Sequence, residues 1–163
     1  MAIRFALGYR TVSFEAASLL VRFPPLEILA DMDAKMYKRI RDLRQSGNSV
    51  PGIVVVRLRR EERRHALKRW RELLQQPKFS CKRVVEAVLQ YFEAWLKRKQ
   101  RISYRLTQML TEHDCFGQYL NRIGREATTN CHHCGGAIDS AQHTLEECPA
   151  WNTERRVLVA RIG

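Results

Sequence analysis

A mainly α fold, a small helical bundle with a compact Cys/His module near its C-terminal end, is predicted by three observations. Apolar residues recur at helical spacing through most of 13–123, and proline and glycine fall where such runs should stop. Three cysteines and a histidine then crowd into 131–148. At 163 residues the chain has room for one domain, or for a modest domain with a small metal-stapled module.

The elements follow in order. Ser13 is a good N-cap for a first helix that runs to Val21 and is stopped by Pro24–Pro25. A second starts at that proline pair and runs to about Gln45. Leu26, Leu29, Met32, Met36, Ile40 and Leu43 recur along it, and Gly47 supplies the stop. Residues 46–56 are a turn cluster followed by a β-branched run, and read as a linker, centred on 51–56, with one short strand. A third helix covers about 57–76 and ends at Pro77. A fourth, about 81–98, carries Val84, Val88, Tyr91/Phe92 and Trp95 on one stripe, widened by Val85, Leu89 and Leu96, and so wide an apolar arc needs a partner surface. Two shorter helices near 103–112 and 116–123 precede the Cys/His loop, and Arg155–Ile162 reads as a last helix. The segmentation implied is 1–50, a linker at 51–56, a basic helical region 57–125, the Cys/His module 126–151, and a helix cut short over 152–163. Both ends look cut, as in a fragment of a longer protein. There is no internal repeat.

Charge narrows the partners. The formal balance is +12, from 29 basic and 17 acidic residues, with a pI near 10.0, which favours nucleic acid or an acidic surface. The first apolar stretch, Ala16–Val21, is short and flanked by Glu15 and Arg22, so it is neither a signal-peptide core nor a membrane span. Five cysteines, an odd number, fit a reducing compartment, cytosolic or nuclear, better than secretion.

Basic charge is densest in the third helix. Residues 57–71 hold eight basic and two acidic residues. At 100° per residue, Arg57, Arg60, Arg64, Lys68 and Arg71 fall within a stripe about 80° wide. Ala66, Leu67, Trp70, Leu73 and Leu74 occupy the neighbouring arc, into which Arg59 and Arg63 intrude. The helix therefore reads as buried in its C-terminal half and projecting in its N-terminal half. A projecting basic helix can track phosphates through counterion release, whereas the commonest fate of a charge run is a solvated face. A second cluster, Lys97, Arg98, Lys99, Arg101 and Arg105, points towards phosphate.

The Cys/His module has the spacing C-x2-C-x8-H-x4-C at Cys131, Cys134, His143 and Cys148. Three thiols and an imidazole at such separations suit one tetrahedral zinc ion. Gly135 and Gly136 permit the tight turn that brings backbone N–H groups to the thiolates. Ser140 is placed to cap a short helix carrying His143, and Pro149 disfavours helical backbone at Cys148. On an unbroken helix His143 and Cys148 would stand about 140° apart, so the segment must bend. His132 and His133 compete as ligands, but the x2 spacing favours Cys134. No Lys or Arg lies between Cys131 and Trp151, where Asp139, Glu146 and Glu147 add negative charge, and no aromatic residue sits inside the loop to stack on a base. The module thus matches a retroviral nucleocapsid knuckle in ligand type but not in surface chemistry. The expected zinc is a single structural ion, a staple for folding.

Catalytic patterns are missing from the sequence. Asp31 and Asp33 are the one close aspartate pair, and at i, i+2 on a helix they point to different sides. There is no phosphate loop, H-E-x-x-H or nucleophile elbow, and four protein ligands close a zinc site to water. Cys81 and Cys115 read as small buried residues, His65 and His113 as surface or cap residues.

The stretch Arg101-Ile-Ser-Tyr-Arg-Leu-Thr-Gln-Met-Leu-Thr-Glu-His-Asp-Cys-Phe-Gly-Gln-Tyr-Leu, then Cys131-His-His-Cys-Gly-Gly, then His143-Thr-Leu-Glu-Glu-Cys-Pro-Ala-Trp151, resembles the C-terminal region of a LINE-type (non-LTR) retrotransposon Pol polyprotein, nearest to the clade that inserts into ribosomal DNA. Gly8-Tyr-Arg-Thr-Val-Ser-Phe-Glu-Ala-Ala17 resembles the segment just after that family's polymerase core. The likeness is strong from about Ser80 to Trp151 and weakest across 46–60. It implies a parent RNA-directed DNA polymerase (reverse transcriptase) that copies its RNA at a nicked chromosomal target, in the nucleus. In that family the C-terminal helices and knuckle help to hold RNA or target DNA, and the ligand positions carry over to Cys131, Cys134, His143 and Cys148. The polymerase's paired aspartates in a Tyr/Phe-x-Asp-Asp turn are absent here, as is the endonuclease that heads such polyproteins. The expectation is a piece that does not polymerise but binds RNA or DNA through Arg57, Arg60, Arg64, Lys68, Arg71, Lys97, Arg98, Lys99 and Arg101. The alternative is a region that docks on the missing polymerase core or on a second copy, without binding nucleic acid itself.

Overall fold

In a computed structural model, which describes residues 12–47, 49–76, 82–99, 102–113 and 115–162, every regular element among the described residues is helical. They are α1 (Phe14–Leu20), α2 (Leu26–Gln45), α3 (Gly52–Leu74), α4 (Lys82–Leu89), α5 (Phe92–Lys97), α6 (Tyr104–Thr111), α7 (Gly117–Arg122) and α8 (Asn152–Ile162). A π-helical turn at His143–Glu147 and a 3-10 turn at Pro149–Trp151 lie between α7 and α8. The described residues form two compact units, 13–102 and 103–162, with Val12 belonging to the second. Arg101, Cys81 and the stretch Gly8–Thr11, singled out above, fall outside the described residues.

The first unit is built on an αα-hairpin. Ser13 caps α1 by accepting the Ala16 N–H at 3.2 Å, and Ala16–Leu20 are all buried. The helix ends in a Schellman cap: Phe23 N–H donates to the Ser18 carbonyl at 3.0 Å and Arg22 N–H to that of Leu19 at 3.1 Å. Arg22 takes φ 59°, the left-handed conformation that glycine usually supplies here and that costs another residue about 1–2 kcal/mol. Gly47, at φ 75°, stops α2 as its position predicts. Helices α2 and α3 then run antiparallel, as two cross-helix ion pairs show: Arg39 with Glu62 at 2.6 Å, and Asp31 with Arg69 at 2.6 Å. Lys35 donates to Asp31 from one turn on, at 2.9 Å, and with Arg69 holds that carboxyl below its ordinary range.

Several expectations are corrected here. The β-branched run is not a linker strand: α3 begins at Gly52, with Val54 N–H bonded to the Pro51 carbonyl at 2.9 Å. Strand preference of a few valines amounts to tenths of a kcal/mol each, and propagation of a long helix outweighs it. The N-terminal half of α3 does not project. Leu58, Glu62, Ala66, Trp70 and Leu74 are buried at four-residue steps from Leu58 to its end, while Ile53 and Val56 ahead of that row are exposed. Glu62 lies in that row because Arg39 satisfies its carboxylate, and Arg59 and Arg63 are exposed rather than intruding. In α2 the inward residues include Ile28 and Met36, while Leu26 is 70 % exposed. The helix expected over 81–98 is broken at Gln90–Tyr91, where Tyr91 N–H turns back to the Val88 carbonyl at 3.0 Å. Past that turn Phe92 meets the Trp70 ring edge-on at 5.4 Å, and the Trp95 indole N–H reaches the Leu19 carbonyl at 2.8 Å. Val84, Val85, Val88 and Phe92 are thereby buried, so the centre of the wide apolar arc is spent inside the fold, while Tyr91 is exposed. Burial of each such side chain contributes about 1.5–3 kcal/mol.

In the second unit Ser103 caps α6 by accepting the Leu106 N–H at 3.2 Å. His113 is buried, not a surface residue: its N–H closes the end of α6 on the Gln108 carbonyl at 3.2 Å, and its ring nitrogen lies 2.6 Å from the Thr111 carbonyl. Cys115, expected inside, is exposed.

Candidate metal centre

The loop after α7 is shaped by backbone bonds before any metal is considered. Cys131 N–H donates to the Gly136 carbonyl and Gly135 N–H to the Cys131 carbonyl, both at 2.8 Å. That turn requires φ 73° at Gly135. Gly136 N–H points at the Cys134 sulfur, 3.4 Å away, and holds that thiol below its ordinary range. A side chain on Gly136 would press on the site, since its Cβ would stand 3.3 Å from Cys134 Sγ and 3.6 Å from the His143 ring.

The other two donors come from the segment after Asp139. The Ser140 hydroxyl accepts the His143 N–H at 3.0 Å, the cap its position predicts. The required bend takes the form of the π-helical turn over His143–Glu147, after which Cys148 leaves helical geometry at ψ 118° ahead of Pro149. His143 and Cys148 thereby turn to one point. Cys131 Sγ and Cys148 Sγ lie 3.9 Å apart, Cys134 Sγ and His143 Nε2 3.3 Å apart, and all four donors within 4.8 Å of one another. A tetrahedron with metal–sulfur bonds of about 2.3 Å has sulfur–sulfur edges of roughly 3.8 Å, so the donors already stand near coordinating distance. Burial pushes the Cys148 thiol up from its ordinary range, a penalty that a bound cation would reverse. A Cys3His cluster able to hold a metal ion is therefore present. No protein-family model, curated protein or solved structure matches this chain.

His132 and His133 do not join the four. The ring of His132 lies 2.9 Å from the Glu126 carboxylate, and that of His133 packs edge-on against Trp151 at 4.9 Å. Two residues that spacing alone does not mark hold the loop in place. Asp139, noted above only for its charge, is buried and accepts the Gly117 N–H at 3.0 Å through its carboxylate and the Gln118 N–H at 2.9 Å through its carbonyl. Gly117 is required there, because a Cβ would come within 3.0 Å of the Asn130 carbonyl. Arg155, on α8, donates to the carbonyls of Thr144 at 3.1 Å and Cys148 at 2.7 Å. The only sequence sign of either role is a charged residue a few positions from a ligand.

Apart from Arg105, the basic candidates all lie outside this unit or outside the described residues. Arg57, Arg60, Arg64, Lys68 and Arg71 are exposed on α3, and Lys97, Arg98 and Lys99 at the end of α5. Of the α3 five, Lys68 alone has an acidic partner among the described residues, Glu72 at 4.0 Å. Arg105 is exposed on α6, in the other unit from Lys97–Lys99. No helix of the described residues is long and apolar enough to cross a membrane.

Proposed function

We propose that the chain binds the phosphates of RNA or DNA through the exposed cations of α3 and the Lys97–Lys99 cluster, while a zinc ion at Cys131, Cys134, His143 and Cys148 orders the C-terminal unit. The observation that carries this reading is the row Arg57, Arg60, Arg64 and Arg71, solvent-facing and without acidic partners among the described residues, on a helix whose opposite face is buried. Such a row offers several phosphate contacts at once, each releasing counterions. Zinc suits a three-thiol, one-imidazole set with no open position for water, which makes the ion structural rather than hydrolytic. The same residues and motifs support an origin in the C-terminal region of a LINE-type retrotransposon Pol protein, with a polymerase core as a further partner and the nucleus as the place of action.

A salt titration tests the binding reading. Replacing Arg60, Arg64 and Lys68 together by alanine should weaken RNA and DNA binding and flatten the log–log salt slope by about 2–3. An unchanged slope would sink the assignment to α3. A second reading, docking or self-association, is favoured by Val157, Leu158, Val159 and Ile162 of α8, all exposed by about half or more. It requires a second copy to form a dimer at micromolar concentration, read by sedimentation.

A further inference from the structure

One ring in the first unit gathers cations from two separate elements. The guanidinium carbons of Arg22, after α1, and Arg98, after α5, each lie 5.8 Å from the Trp95 ring centre, and thus within about 12 Å of each other. Neither forms an ion pair with a described carboxylate. Lys97 and Lys99 flank Arg98 and are exposed. The ring is itself fixed, because its N–H donates to the Leu19 carbonyl at 2.8 Å, the same carbonyl that accepts Arg22 N–H. Arg22 stands where a Schellman cap is relaxed by glycine, and keeps φ 59° instead. An arginine at a strained position, over an aromatic ring that also carries a second arginine, is poorly explained by cap stability. Guanidinium groups held through their charge by a ring keep their N–H donors for a planar, multidentate anion.

We propose that Arg22 and Arg98, set on the Trp95 ring, clamp phosphates of a bound nucleic-acid strand. The clamp rests on the reading that the chain binds nucleic acid, and adds to it a site away from α3 that includes a residue outside either basic cluster. A single strand repeats its phosphates every few ångströms, so two cations no more than about 12 Å apart can engage phosphates of one strand, with Lys97 and Lys99 continuing the track.

The test uses the full chain with a short single-stranded RNA across a salt series, and inorganic tripolyphosphate followed by NMR. Arg22→Gly should weaken RNA binding about three- to tenfold and reduce the salt slope by about 0.7, while raising the urea midpoint because glycine relieves the left-handed backbone. Loss of affinity together with gain of stability is an outcome a purely structural arginine would not give. Arg98→Ala should weaken binding similarly. If both variants bind as the unaltered chain does, while the Arg60, Arg64 and Lys68 replacement weakens binding, the clamp is overturned and the nucleic-acid reading stands. If the unaltered chain binds no RNA, the nucleic-acid reading falls and the strand clamp falls with it. In a chain that binds RNA, tripolyphosphate shifts of the Trp95 indole and the Arg98 side chain that vanish in Arg22→Gly sustain the clamp, and no shift overturns it.

Discussion

At the scale of single residues, the hydrogen bonds around Asp139 tie the metal loop to the start of α7. Its carboxylate takes the buried Gly117 N–H at the start of α7, and its own N–H reaches the Thr129 carbonyl at 2.7 Å. Asp139→Ala leaves the buried Gly117 N–H without an acceptor and should cost about 1–2 kcal/mol by urea unfolding. Asp139→Asn keeps an oxygen in place and should cost less than half as much; equal losses would mean that the charge, not the hydrogen bond, is what matters. The four ligands were legible in the sequence because metal ligation needs particular atoms at short separations, and spacing records both. Asp139 and Arg155 were not, because a carboxylate accepting a backbone N–H and a guanidinium grasping carbonyls leave no spacing signature.

At the scale of elements, the same contrast separates helix ends from helix faces. Ser13, the Pro24–Pro25 pair, Gly47 and Ser103 act within one turn of themselves, so the boundaries they set could be read locally. The facing of α3 could not, since the burial of Glu62 depends on Arg39, 23 residues earlier. Arg39 also bonds Glu61 at 3.2 Å, and the two acidic partners raise the guanidinium's already high pKa. Arg39→Met strands Glu62 in the α2–α3 interface and should destabilise the chain by about 1–3 kcal/mol. The double replacement Arg39→Met with Glu62→Leu should recover most of that loss, because an apolar pair can fill a buried ion-pair site without penalty. A double variant no more stable than the single one would show that the pair contributes directly to stability rather than merely tolerating burial.

At the scale of the whole molecule, charge and metal are divided along the chain. Residues 103–163 hold six Lys or Arg against seven Asp or Glu, a net −1, so 1–102 carries +13 against the protein's overall +12. The proposed labour is divided the same way, with phosphate contacts before residue 103 and the metal after it. Elemental analysis should give about one zinc per chain, and chelation should open 126–151 to protease while 13–99 stays protected. Folding of 126–151 unaffected by chelation would remove the staple from the proposal. The Leu19 carbonyl carries one more consequence. It accepts from both Arg22 N–H and the Trp95 indole, so fraying at the end of α1 displaces an anchor of the ring as well. An anion held by the proposed clamp is thermodynamically linked to that junction: occupancy lowers the population of frayed α1 by the factor that fraying weakens the anion's affinity. Ligand binding and local breathing are then one equilibrium, read from either side.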